Sequence, residues 1–248
     1  MEILKSLADW FHSPLGQELL QQEETCIQQM LEGIFGYYLL QIGLPIHFAQ
    51  AVASSPIRSR ILIPPKICPQ ALGPQILARP EQLPIATDSI DAIFLPHTLD
   101  FTEDPHQVLR EADRVLIPEG RIILLGFNNL SLWGFRRWIP NQRKQMPWCG
   151  AFLSAFRVCD WLSLLGFAIE QRENLMFRPP WRRTFPQARL PLLESLGSRF
   201  WSPFGGVYGI RAVKRVSTLT PLRPAWMKRR RFLPGSAVKP TTRETEHG

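Results

Sequence analysis

Leu83-Pro84-Ile85-Ala86-Thr87-Asp88-Ser89-Ile90-Asp91-Ala92-Ile93-Phe94-Leu95-Pro96-His97-Thr98-Leu99 is the stretch whose reading decides the fold. Its middle, Ala92 to Leu95, is an uninterrupted apolar run, the mark of a strand buried on both faces. Glu103-Asp104-Pro105 then opens a helix-like segment that runs to Arg114-Val115-Leu116-Ile117-Pro118-Glu119-Gly120. A second apolar strand, Arg121 to Leu125, follows. A buried strand, a crossover helix and another buried strand make one βαβ unit. That unit implies a parallel sheet with helices on its faces.

Outward from this unit the pattern repeats. Ser13-Pro14 reads as a helix start, with Ser at the N-cap and Pro where the missing N–H costs nothing. Leu15, Leu19, Leu20, Ile27, Met30, Leu31 and Ile34 recur at helical spacing toward Gly36, so residues 1–36 read as a helical extension. Residues 37–215 read as the main domain. Tyr37 to Ile42, closing on Gly43, is the first buried strand, Ile61-Leu62-Ile63 the second and Ile76-Leu77-Ala78 a short third. Residues 91–95 and 121–126 are the fourth and fifth. A helix over 151–165 is stopped by Gly166, and strands near 168–177 and 207–214 complete the sheet. The connection 178–206 is proline-rich, with one short helix expected near 190–199. Residues 216–248 are rich in Pro, Thr, Arg and Lys and read as a disordered basic tail.

Composition bounds the partners. The 248 residues are 45% hydrophobic and 20% charged, values of a soluble globular protein. Neither a signal peptide nor a membrane span is read, so the expectation is a cytoplasmic protein. Cys26, Cys68, Cys149 and Cys159 form no CxxC pair and sit in no histidine cluster, so they read as free thiols and no metal site is expected. The net charge of +8 is uneven, with 7 Lys/Arg against 15 Asp/Glu in residues 1–120, and 12 against 4 in residues 121–210. Such asymmetry marks an interaction surface, and a nucleic acid is one candidate partner for the basic half and the Lys228–Arg231 run.

The wording of the central unit resembles the class I S-adenosylmethionine-dependent methyltransferases, in the branch called type 11. The residues that carry the resemblance are Leu83-Pro84, Ser89, Asp91, His97, Asp104-Pro105, Leu109-Arg110-Glu111, Arg114-Val115-Leu116, Pro118 and Gly120, within a core match over 77–126. The resemblance implies an α/β fold with a seven-stranded, mostly parallel, Rossmann-like sheet. Its order would be 3-2-1-4-5-7-6, with the last strand antiparallel and helices on both faces. It also implies S-adenosylmethionine as cofactor and methyl transfer to a small-molecule acceptor.

Ligands of open α/β sheets sit outside the carboxyl ends of the strands, where the strand order reverses. On that basis and on the resemblance, Gly43, Pro45, Arg79, Glu81, Leu83, His97 and Thr98 are the candidate cofactor contacts. His97 is also the candidate catalytic residue, because a neutral imidazole could orient an acceptor or take its proton. The alternative is a histidine that only closes the strand. The family pattern is incomplete here: its GxGxG turn is Gly43-Leu44-Pro45-Ile46-His47, and Pro64-Pro65-Lys66 stands where its ribose-binding acid ends the second strand. Arg79 occupies the adenine-reading position, with Glu81 as the nearest carboxylate. On the same rim, Asn128, Trp133, Arg136 and Arg137 are candidate acceptor contacts, continued by Arg143, Lys144 and Trp148. The alternative is a lid helix with its Trp side chains in the core. Two function classes stand side by side: a methyltransferase, and a catalytically inactive protein of the same fold that binds a partner, RNA included.

Overall fold

Ser13 accepts a hydrogen bond from the Gly16 N–H at 3.1 Å and so starts a helix in the manner its sequence predicts. The computed structural model describes residues 2–139, 145–180 and 204–215. Its helices are α1 (Glu2–Phe11), α2 (Pro14–Leu31), α3 (Ala49–Ala53), α4 (Pro105–Val115), α5 (Leu132–Arg136) and α6 (Ala155–Leu164). The strands are β1 (Tyr38–Ile42), β2 (Ser59–Ile63), β3 (Ile90–Pro96), β4 (Leu116–Phe127), β5 (Phe167–Leu175) and β6 (Val207–Lys214). The helix expected near 190–199, Arg143, Lys144 and the tail 216–248 lie outside the described residues.

The strands form one sheet in the order β2-β1-β3-β4-β6-β5. β1 pairs in parallel with β2 and β3, β3 in parallel with β4, and β6 runs antiparallel to both β4 and β5. Alternation explains the two cores. Ala92 and Phe94 of β3, with Ile123 and Leu125 of β4, face α1, α2 and α3. Ile93, Leu95, Ile122 and Leu124 face α4 and α6. Because both faces are covered, the central strands read as unbroken apolar runs.

The motif residues of the βαβ unit are mostly structural. Asp91 Oδ2 accepts the N–H groups of Tyr37 and Tyr38 at 3.0 and 2.9 Å, pinning the entry to β1. Arg114 donates to Glu111, to the Ile85 carbonyl and to the Leu83 carbonyl, each at 2.8–2.9 Å. Glu111 in turn accepts the Leu83 N–H at 2.9 Å. One ion pair on α4 thus clamps the Leu83–Ile85 loop. Asp104 caps α4 by accepting the Gln107 N–H at 3.0 Å, with Pro105 at the first turn.

The sheet departs from the expected count: six strands are found among the described residues. The observed order is the expected one without its first member, the strand read at Ile76–Ala78. That segment is reduced to a single bridge between Leu62 and Gln75, with two backbone hydrogen bonds of 2.9 Å. Pro64, Pro65, Pro69 and Pro74 crowd the connection and Pro80 follows. Each removes a donor and fixes φ, so neither a crossover helix nor an extended ladder forms.

α1 folds back on α2 through a close approach at Gly16, where a Cβ would lie 2.5 Å from the Trp10 carbonyl oxygen and 2.7 Å from Phe11 Cα. Both neighbours are backbone, so they can yield only if α1 moves. Gly16→Ala should therefore lower stability by about 1–2 kcal/mol, the overpacking cost exceeding the helix-propensity gain of about 1 kcal/mol. Urea unfolding at constant slope checks this, and an unchanged or raised midpoint contradicts it.

Candidate functional site

The turn after β1 is built from two consecutive left-handed residues, Gly43 (φ 88°) and Leu44 (φ 38°). The buried Gln41 amide holds it by donating to the Gly43 and Leu44 carbonyls at 3.3 and 3.0 Å. Across the turn, Thr98 Oγ1 donates to the Ile42 carbonyl at 2.7 Å. Between these elements and the end of β2 lies a crevice of about 440 Å³. Gly43, Pro64, Pro65, Arg79, Glu81 and Thr98 line it, with Phe101, Thr102, Glu103 and Asp104 on its far wall. It sits at the carboxyl ends of β1 and β2, where the fold places its ligand. A depression of about 520 Å³ between α2 and β5 is larger, but its lining is the polar surface of one helix and an edge strand.

Four of the seven candidate cofactor residues, Gly43, Arg79, Glu81 and Thr98, converge on this crevice. Three do not. Leu83 is buried in the α4 core, its N–H taken by Glu111. Pro45 is not among the residues that line it. His97 is fully buried and faces the opposite side. Glu81 and Glu103 are carboxylates of the lining, and the Glu81 side chain accepts from the Thr102 hydroxyl. Asp104 is committed to capping α4.

His97 corrects the expectation of a catalytic imidazole. Its Nε2 lies 2.9 Å from Glu23 Oε1 and its Nδ1 3.2 Å from Asp100 Oδ2. All three side chains are buried. Phe127 stacks on the ring at 4.3 Å between centroids, and Phe11 approaches at 6.0 Å. Burial alone would lower the His97 pKa, but the Glu23 charge, aided by hydrogen bonds to Asp100 and Glu23, overrides it and brings the value up to about 9. A cation with both nitrogens engaged neither accepts a proton nor meets a ligand. Burial pushes the Asp100 carboxyl up, offset only in part by His97 and by the Phe127 N–H at 2.9 Å. Glu23 was missed by sequence reading, although a signal was there: it stands at i+4 from Leu19 and i−4 from Ile27, inside the apolar stripe of α2.

Of the candidate acceptor residues, Trp133 and Asn128 are buried, while Arg136 and Arg137 are half-buried. Trp133 is buried and donates to the Arg178 carbonyl at 3.0 Å. Asn128 is buried too, its amide donating to the Gly205 carbonyl and its oxygen accepting the Leu130 N–H, both at 3.0 Å. Arg136 lies 4.2 Å over the ring of Trp148, and Arg137 stands 5.9 Å from that of Phe152. The lid reading therefore holds at Trp133. Among the described residues no cluster of His, Cys, Asp and Glu is placed to hold a metal, and no helix is long and apolar enough to cross a membrane.

Residues 65–124 match the family model described as a methyltransferase domain, a span that contains the clamp and part of the crevice wall. Over that stretch, about a quarter of its length, the chain is similar to the methyltransferase family. A chain of the Haloferax volcanii complex between the Trm112 methyltransferase activator and a methyltransferase superposes with a TM-score of 0.60 at 13% identity, covering 86% of this chain and 98% of that one. An S-adenosylmethionine-dependent methyltransferase from Thermotoga maritima gives 0.56 at 19% identity, over 79% and 91% of the two chains. At such identities these methyltransferases show a shared fold. The Escherichia coli protein YafS is 34% identical over 163 residues, which span 64% of this chain and 65% of that relative. The match thus covers just under two thirds of the relative's own length.

The buried triad makes folding stability depend on pH. Because the His97 pKa is raised, its contribution is complete below about pH 6.5 and is lost as pH rises through about 9. The shift corresponds to about 3 kcal/mol, so unfolding free energy should fall by roughly that amount between pH 6.5 and 10. Glu23→Gln should cost about 3 kcal/mol at neutral pH and flatten the decline. Urea titrations across this range test both statements, and a variant with the parent's slope would refute the assignment.

Proposed function

We propose that this chain is a methyltransferase that binds S-adenosylmethionine in the crevice beside Gly43 and transfers its methyl group to a small-molecule acceptor in the cytoplasm. The observation that carries the reading is the crevice itself, open at the carboxyl ends of β1 and β2. Its volume of about 440 Å³ falls within the ordinary range for small-ligand sites. Gly43 lacks a Cβ and sits at a positive φ, which lets a ligand approach the backbone closely. Thr98 and Phe101 form one wall, and Glu81, oriented by Thr102, offers a carboxylate to ribose hydroxyls or an adenine amine. The bound cofactor would supply an already activated methyl group. What remains for the protein is alignment and exclusion of water. His97 has no part in the transfer. Glu81 and Glu103 are the carboxylates of the crevice lining that cap no helix.

A second reading, a catalytically inactive member of the fold, is favoured by Pro64-Pro65. No carboxylate ends β2, and one hydrogen bond to a charged group is worth about 1.5–3 kcal/mol, or roughly 10- to 150-fold in affinity. The first reading therefore predicts weak binding, with a Kd of roughly 0.1 mM for S-adenosylmethionine and S-adenosylhomocysteine. Titration calorimetry measures it. Gly43→Asp should abolish the heat, because its side chain fills the approach path. No heat from the parent protein at millimolar ligand ends the enzyme reading, and an unaffected Gly43→Asp variant means the ligand binds elsewhere.

A further inference from the structure

The crevice beside Gly43 is lined by ionisable side chains of unequal sign. Glu81, Glu103 and Asp104 are carboxylates, and Arg79 is the one cation among the lining residues. Glu81 is half-buried against Thr102, while Arg79, Glu103 and Asp104 reach solvent. Asp104 caps α4, and the helix N-terminus beside it offsets about half a charge. With Arg79 cancelling one carboxylate, the lining keeps about one and a half negative charges. A space of about 440 Å³ is roughly 8 Å across, close to the screening length at physiological salt. A charge on any ligand held there therefore feels these groups together, wherever in the crevice it lies.

We propose that the charge of this lining makes the crevice hold S-adenosylmethionine more tightly than S-adenosylhomocysteine, so that methyl transfer itself loosens the spent cofactor. This rests on the reading of the crevice as the cofactor site. In the transfer, the bond between sulfur and the methyl carbon breaks with its electron pair left on sulfur. The methyl carbon bonds to the acceptor, and the acceptor gives up a proton to solvent. A sulfonium cation thus becomes a neutral thioether, while the amino group, the carboxylate and the nucleoside stay as they were. Apart from one methyl group, the two ligands differ only in that charge, so the field of the lining is what tells them apart. One and a half negative charges at roughly 8 Å, in a water-like dielectric, favour the cation about fourfold. At about 0.5 M salt the screening length falls to about 4 Å and most of the preference should vanish.

Titration calorimetry of the full-length protein with each ligand, at about 20 mM and about 500 mM salt, reads the ratio of affinities directly. The ratio should be about fourfold in favour of S-adenosylmethionine at low salt and approach one at high salt. Substitutions at the exposed positions should move it in opposite directions. Glu103→Gln should weaken S-adenosylmethionine about twofold and Glu103→Lys about fivefold, whereas Arg79→Gln should tighten it about twofold. In all three variants S-adenosylhomocysteine should keep the parent's affinity, and circular dichroism melting verifies that each is folded. Equal parent affinities at low salt, or Glu103 variants that weaken both ligands alike, overturn the inference while leaving the crevice as the cofactor site. Heat from neither ligand overturns both.

Discussion

A buried cation between two carboxylates ties this fold together. His97 receives Glu23 from α2 on one nitrogen and Asp100 on the other, and Asp100 also accepts the N–H of Phe127, the last residue of β4. Three separate elements therefore meet at one imidazole. Such a network does not come cheaply. Removing charges from water costs several kcal/mol per ion, and Glu23 Oε2 and Asp100 Oδ1 remain without a hydrogen-bond partner. Apolar side chains of the same volume could fill the space at lower cost, but they would not specify how α2 lies on the sheet. The charge pair acts as a register pin: rotation of α2 by one residue would bury Glu23 against apolar neighbours with nothing to pair it.

The same pin explains why His97 holds φ 53°, a left-handed conformation that side chains with a Cβ seldom adopt. The chain must reverse within one residue after Pro96 to bring the imidazole back beneath the sheet end. Thr98, next in sequence, is thereby thrown to the other side, into the crevice, where its hydroxyl also holds the Ile42 carbonyl. Adjacent residues thus do opposite work, one in the core and one at the ligand wall.

Much of the sheet was legible because buried strands and caps leave local signatures. Ser13 before Pro14, Asp104 before Pro105, the apolar runs of β3 and β4 and the stop at Gly166 all fell where local chemistry puts them. The third strand misleads because Ile76-Leu77-Ala78 has the right side chains, while the prolines around it withhold the amides a ladder needs. At the site, residue type alone could not tell an imidazole at a strand end from one buried in an ion pair. That difference depends on Glu23, which lies 74 positions earlier in the chain. The aromatic and basic segment after β4 misleads in a similar way. Trp133 and Asn128 turn inward, while Leu132, Phe135, Trp138 and Ile139, on the opposite face of the same turn, reach solvent.

The crevice is left open on one side and closed on the other for related reasons. On the β1–β2 side, the prolines that abolish the third strand also leave the Pro64-Pro65 and Arg79-Pro80 segments as short walls around empty volume. On the β3–β4 side, α1 and α2 bring Phe11, Trp10 and Glu23 against His97, Phe127 and Trp133, so that space is filled by the chain itself. In the proposed function, an acceptor for a methyl group held near Gly43 approaches along the Thr98–Phe101 wall rather than past the buried His97. The helices that close the His97 side are the ones the buried ion pair fixes in place. Ligand access is thus decided by the same residues that decide the packing of α2.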